Sequence, residues 1–218
     1  KRGLYEGDGF FDFVTASQTR GRNRQLAAQI VLLLLRRLRN ESTLADTNSQ
    51  ALDELNHNEI AFDPSGHEAE AIRAIFLQAA NLLKTANIPK LRGHTATHLC
   101  LLIQALRGEY ARGWESQLAG VLAKFDEDLA KATKSRQGDF WLEYGQWART
   151  NSDMREAIER RDAFFSAYFL ARLKNVTKKD PKRSFTELER RIIFYRDQGL
   201  CAKCKEMVAW VDAEVDHI

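Results

Sequence analysis

What the chain has little of narrows its class before any motif is considered. It carries 3 cysteines, 3 prolines and 2 methionines in 218 residues. Three cysteines cannot build the disulfide framework of a small secreted domain. Cys100 sits in an apolar helical stretch and reads as a small buried hydrophobe. The other two, Cys201 and Cys204, stand three positions apart near the C-terminus. Scarce proline leaves long segments free to be helical. A long apolar run is also lacking. The most apolar stretch, Leu26 to Leu35, is too short to span a bilayer and runs into Arg36 and Arg37. No signal peptide is visible, so the reading is a cytoplasmic protein with no membrane partner. The chain begins at Lys1 without a methionine and stops at Ile218 in mid-motif. Both ends are expected to be cuts in a longer protein.

What is present is ordinary for a globular protein: 44% hydrophobic and 29% charged residues, with a net charge of +3. Helical spacing of apolar residues recurs along the chain. Helices are expected over about 22–39, 49–55, from the turn Asp63-Pro64-Ser65-Gly66 to Lys84, then around Leu99–Leu106 ending before Gly108. Further helices are expected over 114–133 and 137–149. A long one to Lys174 is expected to be capped by Asn151-Ser152-Asp153. Residues 1–21 show no period and read as a loop or the tail of a preceding domain. Residues 175–183 have linker composition. Ser184-x-x-Glu187 matches a capping box for a last helix ending at Gly199. Helices in series with short loops describe a mainly α fold, a multi-helix bundle.

Chemistry concentrates at the end. Cys201-x-x-Cys204 has the spacing that lets two thiolates reach one tetrahedral zinc ion. Val208-Ala-Trp-Val211 follows, and then Asp216-His217-Ile218. A carboxylate beside an imidazole can hold Mg²⁺ and take a proton from water. Residues 178–205 hold nine cations against four anions. Their basic side chains, Lys178, Lys179, Lys182, Arg183, Arg190, Arg191 and Arg196 among them, suit a phosphate backbone or a solvated helix face.

The order Arg196-Asp197-x-Gly199-x-Cys201-x-x-Cys204, short spacer, Val215-Asp216-His217-Ile218 resembles the opening half of an HNH endonuclease with a structural zinc. The resemblance covers roughly 35 residues. It implies that Cys201 and Cys204 are the first pair of Zn²⁺ ligands. It also implies that Asp216 binds the catalytic Mg²⁺ or another divalent ion, and that His217 is the general base. The family's later strand, helix and second cysteine pair do not appear before Ile218, so the chain itself is expected to be a poor catalyst. The helical part resembles the region behind the ParB-like domain of GmrSD-type restriction proteins, which cut foreign and often modified phage DNA. This likeness rests on Arg22 to Leu35, Ser49-x-x-Leu-Asp-Glu-Leu55, Asp139-x-x-x-x-Tyr144 and Arg155-x-x-x-Glu159. The missing ParB-like domain would precede Lys1.

The resulting expectation divides the chain into an α-helical domain (1–174), a basic linker (175–183) and the beginning of a ββα-metal HNH module (184–218). Its function would be restriction of DNA by phosphodiester hydrolysis. The competing expectation is a non-catalytic helical scaffold for interaction or sensing, with a zinc-ribbon remnant. A redox role for the cysteine pair ranks last for want of a βαβ context. Homo-oligomerisation is compatible with either. Among lesser features, His94 and His98 share a helix face, but no acidic third ligand is obvious nearby, and His94 reads as solvated. Trp141, Tyr144 and Trp147 could stack on bases, although their spacing favours the core. Arg20, Arg22 and Arg24 could meet phosphate or simply start a helix. Glu159-Arg160-Arg161-Asp162 reads as a surface charge ladder.

Overall fold

A computed structural model of the chain describes residues 9–15, 21–41, 43–57, 60–88, 90–111, 113–135, 139–179 and 186–215. A 3-10 turn over Phe10–Phe13 leads into β1 (Val14–Thr15), α1 (Arg22–Leu38), α2 (Ser49–Asn56) and α3 (His67–Thr85). Then come β2 (Leu91–Arg92), α4 (Gly93–Glu109), α5 (Glu115–Ser135), α6 (Asp139–Trp147), α7 (Arg155–Leu170) and α8 (Glu187–Arg196). The protein is mainly α, as expected.

Three helices are buried nearly all round, the mark of central elements. Ile30 to Leu35 of α1, Thr95 to Ile103 of α4 and Arg161 to Phe169 of α7 are each unbroken buried runs. α4 packs against both α1 and α7. α3 and α5 cover them with one face each, through Ile72, Phe76 and Leu83 on α3 and through Leu118, Leu122, Phe125 and Leu129 on α5. Helical spacing predicts one face of Leu118, Val121, Leu122, Phe125 and Leu129, and all but Val121, which is partly buried, are buried.

Aromatic rings fill the α5–α6–α7 layer. Phe125 is fully buried and lies 4.8 Å from Phe165, 5.1 Å from Tyr168, 5.3 Å from Trp141 and 5.6 Å from Tyr144. Most of these pairs are edge-on or tilted, the arrangement that ring quadrupoles prefer. Trp141 and Tyr144 are therefore core residues.

Several expectations are corrected. The segment before α1 is more than a loop: Phe10 and Phe11 are buried against Phe76, and Val14–Thr15 pairs in parallel with Leu91–Arg92. A two-residue strand is too short to show a period, which hid it. α4 runs through Gly108 to Glu109, since a single glycine in a helix is tolerated. Asn151-Ser152-Asp153 does not cap α7. The N-cap is Met154, with no side-chain bond. The cap comes instead from the α1–α2 loop, where the Asp46 carboxylate accepts the Arg155 N–H at 2.5 Å. The capping box of α8 lies two residues later than expected, on Thr186 and Glu189; Ser184 lies outside the described residues.

The described part of the 175–183 segment is bonded to the bundle. Ala111 N–H donates to Thr177 O and Lys179 N–H to Glu109 O, both at 2.8 Å. α8 then packs along α7.

Replacing Phe125 by alanine removes the ring that five others touch. It is expected to lower unfolding free energy by about 3–5 kcal/mol, measured as the urea midpoint followed by circular dichroism. Leu77→Ala, at a half-exposed site on α3, is the control and should shift it by less than about 0.5 kcal/mol.

Candidate functional site

The cysteine pair lies in a tight hairpin directly after α8. Asp197 ends the helix, and Gln198 and Gly199 both take left-handed backbone, with φ of 57° and 67°. A Cβ at Gly199 would stand 3.2 Å from the Phe194 ring, so both backbone and space call for glycine here. The returning strand is held by Val208 N–H to Gly199 O and Cys201 N–H to Glu206 O, both at 2.8 Å. Lys205 N–H closes the loop onto Cys201 O at 2.9 Å, with Lys205 itself at a φ of 64°.

This turn aims backbone donors at sulfur. The N–H groups of Cys204 and then Lys203 hold the Cys201 thiol below the ordinary cysteine range, with the Cys204 side chain adding to the effect. Both thiols are reduced, Cys201 partly exposed and Cys204 exposed, and Cys204 Sγ lies 3.7 Å from Glu206 Oε2. A preformed thiolate turn of this kind can take a soft divalent ion on two of its four tetrahedral positions. Among the described residues no group of three or more metal-ligating side chains comes together. Asp216 and His217, the expected Mg²⁺ ligand and base, lie outside the described residues.

The basic residues expected to meet DNA have structural partners. Arg190 donates to Ala213 O at 2.7 Å, and Arg190 and Arg191 stand 5.5 and 5.1 Å from the Trp210 ring. Trp210 in turn meets Phe194 edge-on at 5.4 Å. These contacts seat the tail on α8. Lys178 bonds Glu189 at 2.9 Å, Lys179 bonds Arg107 O at 2.7 Å, and Arg196 bonds Asp197 at 2.7 Å. Lys182 and Arg183 lie outside the described residues.

A second polar cluster, missed by the sequence reading, sits where α1, α4 and α7 meet. The expected surface ladder is half buried core: Arg161 is 2% exposed and Asp162 fully buried. The signal was there in the spacing Ile158, Asp162, Phe165, Phe169, which places the carboxylate on the apolar stripe. Arg37 of α1 forms an ion pair with Asp162 and donates to Leu101 O at 2.9 Å. Burial would raise the Asp162 carboxyl, but the Arg37 guanidinium and then the His98 contact outweigh it and hold it below the usual range. His98 Nδ1 lies 3.4 Å from Asp162 Oδ1.

His94 is likewise not solvated as expected. Arg161 donates to its Nδ1 at 2.8 Å, which places the imidazole proton on Nε2. Burial, and then the Arg161 charge, push its pKa down to about 4. Burial lowers that of His98 as well. Both imidazoles are therefore neutral at pH 7.

No protein-family model, curated protein or solved structure matches the chain. No helix among the described residues is long and apolar enough to cross a membrane.

Two predictions follow from this geometry. Iodoacetamide at pH 7.5 is expected to label Cys201 faster than Cys204 and to leave Cys100 unmodified, read by peptide mass spectrometry over time. Cys100 is fully buried and its thiol is pushed well up by burial. The second concerns acid. An unfolded histidine takes its proton near pH 6.5, whereas folded His94 does so near 4, so between these values the unfolded state binds more protons. Stability is therefore full above pH 6.5 and falls on acidification toward pH 4, by up to about 1.4 kcal/mol per pH unit for one such group. Urea midpoints at pH 7.5, 6.5, 5.5 and 4.5 check this, and His94→Gln is expected to flatten the slope.

Proposed function

We propose that the chain is part of an HNH-type, metal-dependent DNA endonuclease that restricts foreign or modified DNA. The observation that carries this reading is the Cys201–Cys204 turn. Its backbone donors favour thiolates, and it follows a basic helix and precedes Asp216-His217 in the order such a nuclease requires. In this reading Cys201 and Cys204 anchor a structural Zn²⁺, which ties the hairpin to the base of the site. Asp216 holds the catalytic divalent ion, whose charge stabilises the scissile phosphate. His217 accepts the proton of the attacking water, as a neutral imidazole can near pH 7. Lys182, Arg183 and the exposed faces of Arg190, Arg191 and Arg196 neutralise backbone phosphates. The helical bundle positions this module.

One observation favours a second reading, a non-catalytic helical scaffold whose cysteine turn is a structural clip. Arg190 and Arg191 hold the protein itself together, through Ala213 and the Trp210 ring. Their cations are then tail anchors and not phosphate ligands.

The deciding assay is plasmid cleavage with Mg²⁺ by the full-length protein that carries this chain, beside its His217→Ala variant, on modified and unmodified DNA. The nuclease reading expects cutting by the parent and a loss of about 10²–10⁴-fold in the variant. A parent that leaves all DNA intact selects the scaffold.

A further inference from the structure

Arg161 presents an imbalance that the rest of the fold does not resolve. Its side chain is 2% exposed, and a buried guanidinium normally meets a carboxylate. Among the described residues none lies within ion-pair distance of it, because its neighbour Asp162 is turned to Arg37 and His98. Arg161 bonds only neutral acceptors: Ala157 O at 3.1 Å, His94 Nδ1 at 2.8 Å, and Ser152 O. These use three of the five N–H groups of a guanidinium.

Beside it lies a cavity of about 160 Å³, lined by Arg161, His94, His98, Thr97 and Gly93 and by the loop residues Ser152 and Asp153. This is several times the ~30 Å³ share of one water molecule. The cavity opens on the first turn of α4, a 17-residue helix with no side-chain cap and no acidic residue in that turn. Unfilled backbone donors and the positive end of the helix dipole both favour an anion there. His98 points to a ligand independently. It is 1% exposed; its Nδ1 stands 3.4 Å from Asp162, and its Nε2 has no partner among the described residues. Arg37 and Asp162 cancel each other, and the Arg161 charge is opposed only by Asp153, which lines the cavity without forming an ion pair with it.

We propose that this cavity, between the first turn of α4 and Arg161, binds a compact oxyanion: phosphate, either free or as the terminal phosphate of a nucleotide. Arg161 supplies the charge and the two remaining N–H donors, and the α4 amides complete the cradle. Asp153 on the cavity wall opposes the ligand and limits its affinity. The site is separate from the cysteine hairpin and does not depend on the nuclease reading.

The test is titration of ¹⁵N-labelled protein, the full chain, with inorganic phosphate, adenosine 5′-monophosphate, adenosine and chloride. Saturable shifts centred on the Gly93, His94 and Thr97 amides are expected with phosphate or the monophosphate but not with adenosine. Binding of both phosphates assigns a nucleotide's terminal group to the site, and binding of inorganic phosphate alone assigns the free ion. Asp153→Asn is expected to tighten binding severalfold, and Arg161→Gln to weaken it roughly tenfold or more. If Arg161→Gln does not fold, the wild-type shift map and the Asp153→Asn direction still decide. Shifts that do not saturate, that centre elsewhere, or that weaken in Asp153→Asn overturn the proposal.

Discussion

The ion pair between Arg37 and Asp162 is the constraint around which the bundle is arranged. It joins α1 to α7 at a point where the carboxylate is fully buried and the guanidinium nearly so, and His98 of α4 completes the contact. Removing either partner of a buried pair strands the other charge at a penalty of about 3–5 kcal/mol. A hydrophobic packing of three smooth helices tolerates rotation and sliding of one past another. A single charge pair at their junction does not, since any other register leaves the carboxylate unpaired. Arg37 also donates to Leu101 O on α4, so one guanidinium fixes the rotation of all three central helices.

From that junction the remaining layers follow by apolar burial. α3 and α5 lay single faces on the central helices, and the Phe125 ring cluster fixes α6 against α7. The N-terminal Phe10–Phe11 pair packs on Phe76 in the middle of α3. The tail is attached differently. α8 contributes no fully buried side chain. It is held by a capping box, by Lys178 on Glu189 and by arginines around Trp210. Polar and aromatic contacts at half-exposed positions give it orientation without a core of its own.

How much of this was legible in the sequence depended on whether a residue's partner was local. Leu118, Leu122, Phe125 and Leu129 declared their helix and face because period alone sets both. The spacing of Cys201 and Cys204 showed that both thiols could reach one ion, whereas the turn that holds them depends on Gln198, Gly199 and Lys205 in left-handed backbone. Asp46 as the cap of α7 was not, because the donor it satisfies is 109 residues away. Arg161 and Asp162 were misread for a related reason. A run of four charges resembles a solvated face, and only its phase against Ile158 and Phe165 shows that two members point inward. His94 was placed outside because it stands at the start of its helix, and the Arg161 that covers it is 67 residues away. For Arg190 and Arg191, charge announced an anionic partner, and the structure supplies Glu187 one turn back together with a carbonyl and an indole ring.

The bridge between Glu109–Ala111 and Thr177–Lys179 has a consequence for the order of local opening. It is short, and among the described residues beyond it no side chain is fully buried, Tyr195 on Phe140 and Phe164 being a partly buried tie to the bundle, so detaching α8 and the hairpin is expected to cost less than global unfolding. The tail is then expected to open as its own cooperative unit, its amides exchanging with solvent while the central helices stay closed.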